Sequence, residues 1–66
     1  MNANFAYLVR LTDMTYKTFT DYNRAHRIAA VIRSHAKKVG TMQWRCDKEG
    51  RTFYTGPGEV IEKRIG

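Results

Sequence analysis

The side chains most able to do chemistry in this chain are cations spaced along a segment that holds no acidic residue. Between Tyr22 and Cys46 there is no Asp or Glu, whereas a solvated helix usually mixes charges because Glu–Lys pairs four residues apart stabilise it. Guanidinium and ammonium groups in such a series bind phosphate oxygens, and each contact adds affinity through counterion release. The candidate anion-binding residues of the segment are Arg24, Arg27, Arg33, His35, Lys37 and Lys38. The segment therefore predicts a surface that attracts polyanions.

Three residues on the predicted strands beyond this helix are candidates for the same surface. These are Arg45, Arg51 and Tyr54, since an aromatic ring beside an arginine can stack on an unpaired base, worth about 1–3 kcal/mol. Tyr54 points opposite Phe53 on a strand and is the best candidate for an exposed ring. Trp44 is expected in the core, because a domain this small needs its rings there.

Titratable and nucleophilic residues form no catalytic constellation in this sequence. His26 and His35 are nine residues apart, which is about 900° of helical rotation and places them on opposite sides of a helix. Cys46 has no histidine close in sequence and is expected to be a buried thiol. The glycines around Pro57 match no phosphate-binding loop, and the proline removes one backbone N–H from any anion site. We therefore expect no enzymatic activity, no cofactor and no metal.

The cationic segment is predicted to be an amphipathic helix over residues 21–39. Its apolar positions recur with the helical period. They are Ala25, Ile28, Ala29, Ile32, Ala36 and Val39. Thr20 or Asp21 can cap the start, because either side chain accepts a hydrogen bond from a free backbone N–H, and Gly40 supplies the left-handed residue that ends a helix. The apolar stripe separates two basic flanks, one of Arg24, Arg27, His35 and Lys38 and the other of His26, Arg33 and Lys37.

Strands are predicted on both sides of the helix. Alternating apolar residues indicate a first hairpin from residues 5–11 and 16–19, and a second from residues 41–47 and 51–55. Residues 59–65 fit either an edge strand or a short helix. The predicted fold class is α+β, a small antiparallel sheet in the order β-β-α-β-β, with a possible extra C-terminal element, packed on one helix. We expect residues 1–66 to form a single domain.

Size and charge restrict the partners. The chain has 66 residues, a formal net charge of +6 and one cysteine, so no internal disulfide stabilises it, and small proteins without such cross-links often self-associate. A homodimer is therefore one expectation. An excess of basic over acidic residues favours nucleic acid, an anionic membrane surface or an acidic protein as the partner. No stretch approaches the roughly 20 apolar residues of a membrane span, and an unpaired cysteine fits a reducing compartment, so we expect a cytoplasmic protein.

Two stretches, Asn23-Arg24-Ala25-His26-Arg27-Ile28-Ala29 and Gly40-Thr41-Met42, resemble part of a small phage anti-CRISPR family that inhibits type I-F surveillance complexes. The family is similar in length and in its β-β-α-β-β order. The resemblance implies a stoichiometric inhibitor that occupies a nucleic-acid-binding surface of a host or defence complex, acting in the host cytoplasm.

Residue chemistry and resemblance lead to two functional hypotheses and a simpler alternative. The first is a non-catalytic basic protein of phage or mobile-element origin that binds a polyanionic surface, nucleic acid above all, through its cationic helix. The second is a protein inhibitor of a host or defence complex, docked on an acidic or nucleic-acid-binding protein. The simpler alternative is a subunit whose helix completes a larger assembly, with the charge serving solubility alone.

Overall fold

The helix carrying the cations forms at the predicted place. In the computed structural model, which describes residues 4–65, helix α1 spans Tyr22–Val39. Asp21 is its N-cap, and the carboxylate accepts a hydrogen bond from the N–H of Asn23 at 3.1 Å. Gly40 ends the helix at a φ of 78°, in the left-handed region that glycine adopts without a steric penalty. Among the described residues, no helix has the length and apolar character needed to cross a membrane.

A three-stranded antiparallel sheet supports α1. Its strands are β1 (Phe5–Arg10), β2 (Tyr16–Phe19) and, further along the chain, β5 (Val60–Arg64), in the spatial order β2-β1-β5. The C-terminal segment is thus an edge strand, which decides between the two predicted forms. Its register places Val60 opposite Val9 and Ile61 opposite Leu8. Pairing on both sides satisfies the backbone groups of β1 along most of its length.

The core lies between one face of this sheet and the apolar stripe of α1. Val9 and the alanines at positions 25 and 29 are fully buried, and Phe19 joins them from β2. Alanines on the helix let its backbone approach the sheet closely, so the ring of Phe19 and the valine fill the space between. Val39, the last residue of the predicted stripe, lies beyond this core and is exposed.

The second hairpin forms a sheet of its own. Its strands are β3 (Trp44–Cys46) and β4 (Thr52–Tyr54), paired antiparallel, and neither belongs to the three-stranded sheet. Among the helices and strands of residues 4–65, β3 and β4 have close backbone contacts only with each other. The α+β class is confirmed, with the helix held by β2-β1-β5 and the β3–β4 hairpin added beside it.

Two core predictions for this hairpin are wrong. Trp44 is 59% exposed, and Cys46 is also exposed, with its thiol 3.7 Å from the hydroxyl oxygen of Thr52. Alternation along a strand shows which residues share a face, but it does not show whether another element covers that face. Here no helix or strand of the described chain packs on it.

Candidate polyanion interface

One flank of α1 presents three cations to solvent. Arg24, Arg27 and Lys38 are all exposed, and we call them the outer flank. Arg24 lies on the β2 side of the molecule, with its guanidinium carbon 5.9 Å from the ring centre of Phe19. Fourteen residues separate the first and last of the three, so at about 1.5 Å per residue they extend over about 21 Å. His35 is exposed on the same side.

The outer flank has no ion-pair partner among residues 4–65. Within residues 4–65, ion pairs join Arg10 to Glu59 at 3.1 Å and Arg51 to its two acidic neighbours in the hairpin turn. None of them involves a residue of α1. The charge of this flank is therefore compensated only by solvent and counterions, which a bound polyanion would displace.

Residue Lys17 extends the basic surface onto β2 and is missing from the sequence prediction. Its ammonium nitrogen lies 5.6 Å from the ring centre of Phe19, and the same ring is approached by Arg24. Both cations line a shallow cleft of about 340 Å³ at the junction of β2 and α1. Lys17 and Phe19 are two residues apart on β2, and this spacing predicts from the sequence that they share a face of the strand. Their contact with the helix is a tertiary contact that the spacing does not predict.

The other flank of α1 is less available. Arg33 is half-buried, and its Nη1 donates a hydrogen bond to the carbonyl oxygen of Gly58 at 2.9 Å. Its guanidinium therefore holds the turn before β5 against the helix. His26 is half-buried beside the ring of Tyr22, whose centre lies 4.2 Å away. Lys37 is the exposed cation of this flank.

The hairpin turn gives Arg51 a structural role. One carboxylate oxygen of Asp47 accepts hydrogen bonds from the backbone N–H groups of Glu49 and Arg51, each at 2.9 Å. The other carboxylate oxygen accepts from the Arg51 side chain at 2.8 Å. These bonds, the one from the Arg51 backbone above all, lower the pKa of Asp47 below its ordinary value. The charge of Arg51 is compensated by the acidic side chains of the turn. Arg51 therefore contributes less to a polyanion surface than the outer flank does.

The structure exchanges the predicted roles of the hairpin rings. Tyr54, the best candidate for an exposed ring, is half-buried, and its hydroxyl donates to the carbonyl oxygen of Pro57 at 2.5 Å. Burial raises the pKa of Tyr54 above its ordinary value. The exposed rings are those of Trp44 and Phe53. Arg45 is exposed and lies opposite Phe53 in the strand register.

The chemistry available on this surface is binding by cationic donors and exposed rings. In the described part of the chain, no three histidine, cysteine or acidic side chains come together in a way that would hold a metal ion. Comparisons of the chain with protein-family models, with curated proteins and with solved structures gave no match.

Proposed function

We propose that this protein binds nucleic acid through the outer flank of α1 and does so without catalysis. The observation that carries this is a row of three exposed cations with no acidic partner among the described residues. Phosphate contacts supply most of the affinity in sequence-independent binding. No recognition motif is visible in the sequence, so the binding is expected to be largely independent of base sequence.

The length of the outer flank fits a phosphate backbone. Each strand of a duplex carries one phosphate per about 3.4 Å of helix axis, so the roughly 21 Å of the flank, laid along that axis, covers the rise of about six phosphates on each strand. Three cations, or four with Lys17, can each neutralise one phosphate. At about 0.9 per contact, the logarithm of the binding constant should fall with the logarithm of salt concentration with a slope of about −2.7 to −3.6.

The test is a salt titration of binding to a short labelled duplex, followed by fluorescence anisotropy from about 50 to about 200 mM monovalent salt. The expected result is a straight line of the stated slope and similar affinities for duplexes of unrelated sequence. Absence of any binding at the lowest salt concentration would show that the flank does not serve nucleic acid.

The second candidate function is stoichiometric inhibition of a surveillance complex. It is supported by the resemblance in the helix and by the β-β-α-β-β order of the first five elements. In that case the outer flank would dock on an acidic protein surface, and the charges would speed association.

Mixing the protein with a purified type I-F surveillance complex tests this second function. If the protein is an inhibitor, the surveillance complex should lose all binding to its target DNA at about one protein per docking site. This loss should persist when excess unlabelled non-target duplex is added as a competitor. A protein that only binds DNA would be removed by that competitor, and target binding would then recover.

A further inference from the structure

The most exposed aromatic ring among the described residues lies outside the core. Trp44, the single tryptophan, is 59% exposed, and Phe53 is 44% exposed, although the core contains few large side chains. Strand register pairs Trp44 with Tyr54 and Phe53 with Arg45. The two exposed rings therefore belong to opposite faces of the hairpin, and each leaves part of its surface free.

The hairpin holds the ring of Trp44 in place before any ligand arrives. The ring of Tyr54 meets that of Trp44 edge-on, with centres 5.0 Å apart, and its hydroxyl is bonded to Pro57. At the base of the hairpin, the N–H of Thr55 donates to the carbonyl oxygen of Gln43 at 3.0 Å. At its tip, the Asp47 carboxylate closes the turn. A platform ordered in this way loses little conformational entropy on binding.

A groove of about 530 Å³ connects this platform to the helix. Trp44 and Phe53 line its hairpin side, and His26 and Arg33 line its helix side. Glu59 also lines the groove, but its carboxylate is paired with the guanidinium of Arg10 at 3.1 Å. A base placed on Trp44 would thus lie close to Arg33 and His26, which belong to the flank of α1 opposite the outer flank.

We propose that the hairpin is a stacking site for unpaired bases, with Trp44 and Phe53 as the stacking residues, which makes single-stranded nucleic acid the preferred ligand. This rests on the nucleic-acid binding proposed above and names the form of ligand. Base-on-ring stacking tolerates any sequence, because every base has a flat π-face. A duplex, whose bases are already stacked and paired, offers these rings nothing comparable.

A second copy of the chain fits the exposed rings less well. Two rings of about 150–250 Å² each, about half exposed, supply roughly 200 Å², whereas a stable protein interface needs about 800 Å² per partner. Each copy also carries a formal charge of +6. Like charges disfavour self-association and favour a polyanion.

The single tryptophan makes a direct experiment possible. Wild-type protein is titrated with an oligothymidylate and, separately, with a long duplex, while intrinsic fluorescence reports on Trp44 and the anisotropy of a labelled oligonucleotide reports on binding. We expect the single strand to quench Trp44 strongly and the duplex to leave it nearly unchanged. Trp44→Leu and Phe53→Leu should each weaken single-strand binding about 5- to 150-fold and duplex binding less than about twofold. Phe5→Leu, at the far end of β1, is the matched control and should change neither.

Each other outcome overturns the proposal in a distinguishable way. If the oligothymidylate binds without quenching Trp44, and Trp44→Leu binds it like wild type, stacking at the hairpin is wrong while nucleic-acid binding stands. If neither ligand binds, the proposed function itself fails. If Trp44 fluorescence changes with protein concentration alone and Trp44→Leu abolishes self-association, the rings serve a second copy. The wild-type quenching experiment needs no variant, so it remains decisive even if a substituted hairpin does not fold.

Discussion

Neutralising the outer flank should change the salt dependence of duplex binding by a calculable amount. The perturbation is the triple variant Arg24→Gln, Arg27→Gln, Lys38→Gln. All three side chains are exposed, and none belongs to the ion pairs of the described structure. Glutamine keeps most of the side-chain length and a good helix propensity. The fold should therefore be unaffected, and thermal unfolding followed by circular dichroism checks this.

The expected magnitude comes from the number of phosphate contacts removed. At about 0.9 per contact, three lost contacts should make the slope of the log–log salt plot shallower by about 2.7. Over a fourfold change in salt concentration, from about 50 to about 200 mM, this difference in slope corresponds to a roughly 40-fold difference between the two proteins in the affinity lost. Wild type should lose about 40 times more affinity than the variant over this range.

The matched control removes the same charge elsewhere. Lys48, Lys63 and Arg64 are exposed and lie on the hairpin turn and on β5. Their replacement by glutamine also removes three positive charges, so both variants fall from a formal +6 to +3. Anisotropy titrations of both variants on the same labelled duplex compare them. An equal loss of slope in the two would refute the reasoning, because affinity would then follow net charge rather than the helix flank.

Three further predictions concern the scaffold that carries this surface. In thermal unfolding, Gly58→Ala should destabilise the fold far more than Gly50→Ala. Both glycines have positive φ, but a Cβ at position 58 would lie 2.4 Å from the Arg33 side chain, whereas a Cβ at position 50 would meet nothing within 4 Å. Gly50→Ala should therefore cost only the backbone strain of about 1–2 kcal/mol. Val9→Ala should lower the free energy of unfolding, measured in urea, by about 2–3 kcal/mol, because this side chain is fully buried in the core. Burial raises the folded-state pKa of Tyr54 above its ordinary value of 10.0. The stability contributed by this shift should be complete below pH 10.0 and be lost as the pH rises through the folded-state pKa. In melting curves at alkaline pH, Tyr54→Phe should lose less stability than wild type, and an equal loss of stability would contradict the assignment.

Local interactions determined much of this protein from its sequence. The helix, with Asp21 as a predicted N-cap and Gly40 as its end, follows from apolar spacing and from capping chemistry within a few residues of each terminus. Both hairpins follow from alternation and turn residues. The basic character of the outer flank is also a sequence property, because a segment without acidic residues cannot supply its own counter-charges.

The candidate site depended partly on contacts that no local pattern contains. Lys17 joins Arg24 only because β2 packs against the start of α1, so that both approach one ring. Arg33 is drawn from the predicted cationic face to the carbonyl of Gly58, which lies 25 residues away in sequence. Arg51, by contrast, is paired with Asp47 only four residues away, so the compensation of its charge is a local contact.

What only the tertiary structure decided was which faces of the strands are covered. Residues 59–65 fit two periods equally well, and their pairing with β1 across the length of the chain made them an edge strand. The alternation of Trp44 with Arg45 is the same whether or not a partner layer lies above it, and in this fold none of the described elements does. A short-range pattern records which residues share a face. Burial of that face depends on long-range packing, and this is the physical reason that the tryptophan expected in the core lies instead at the surface.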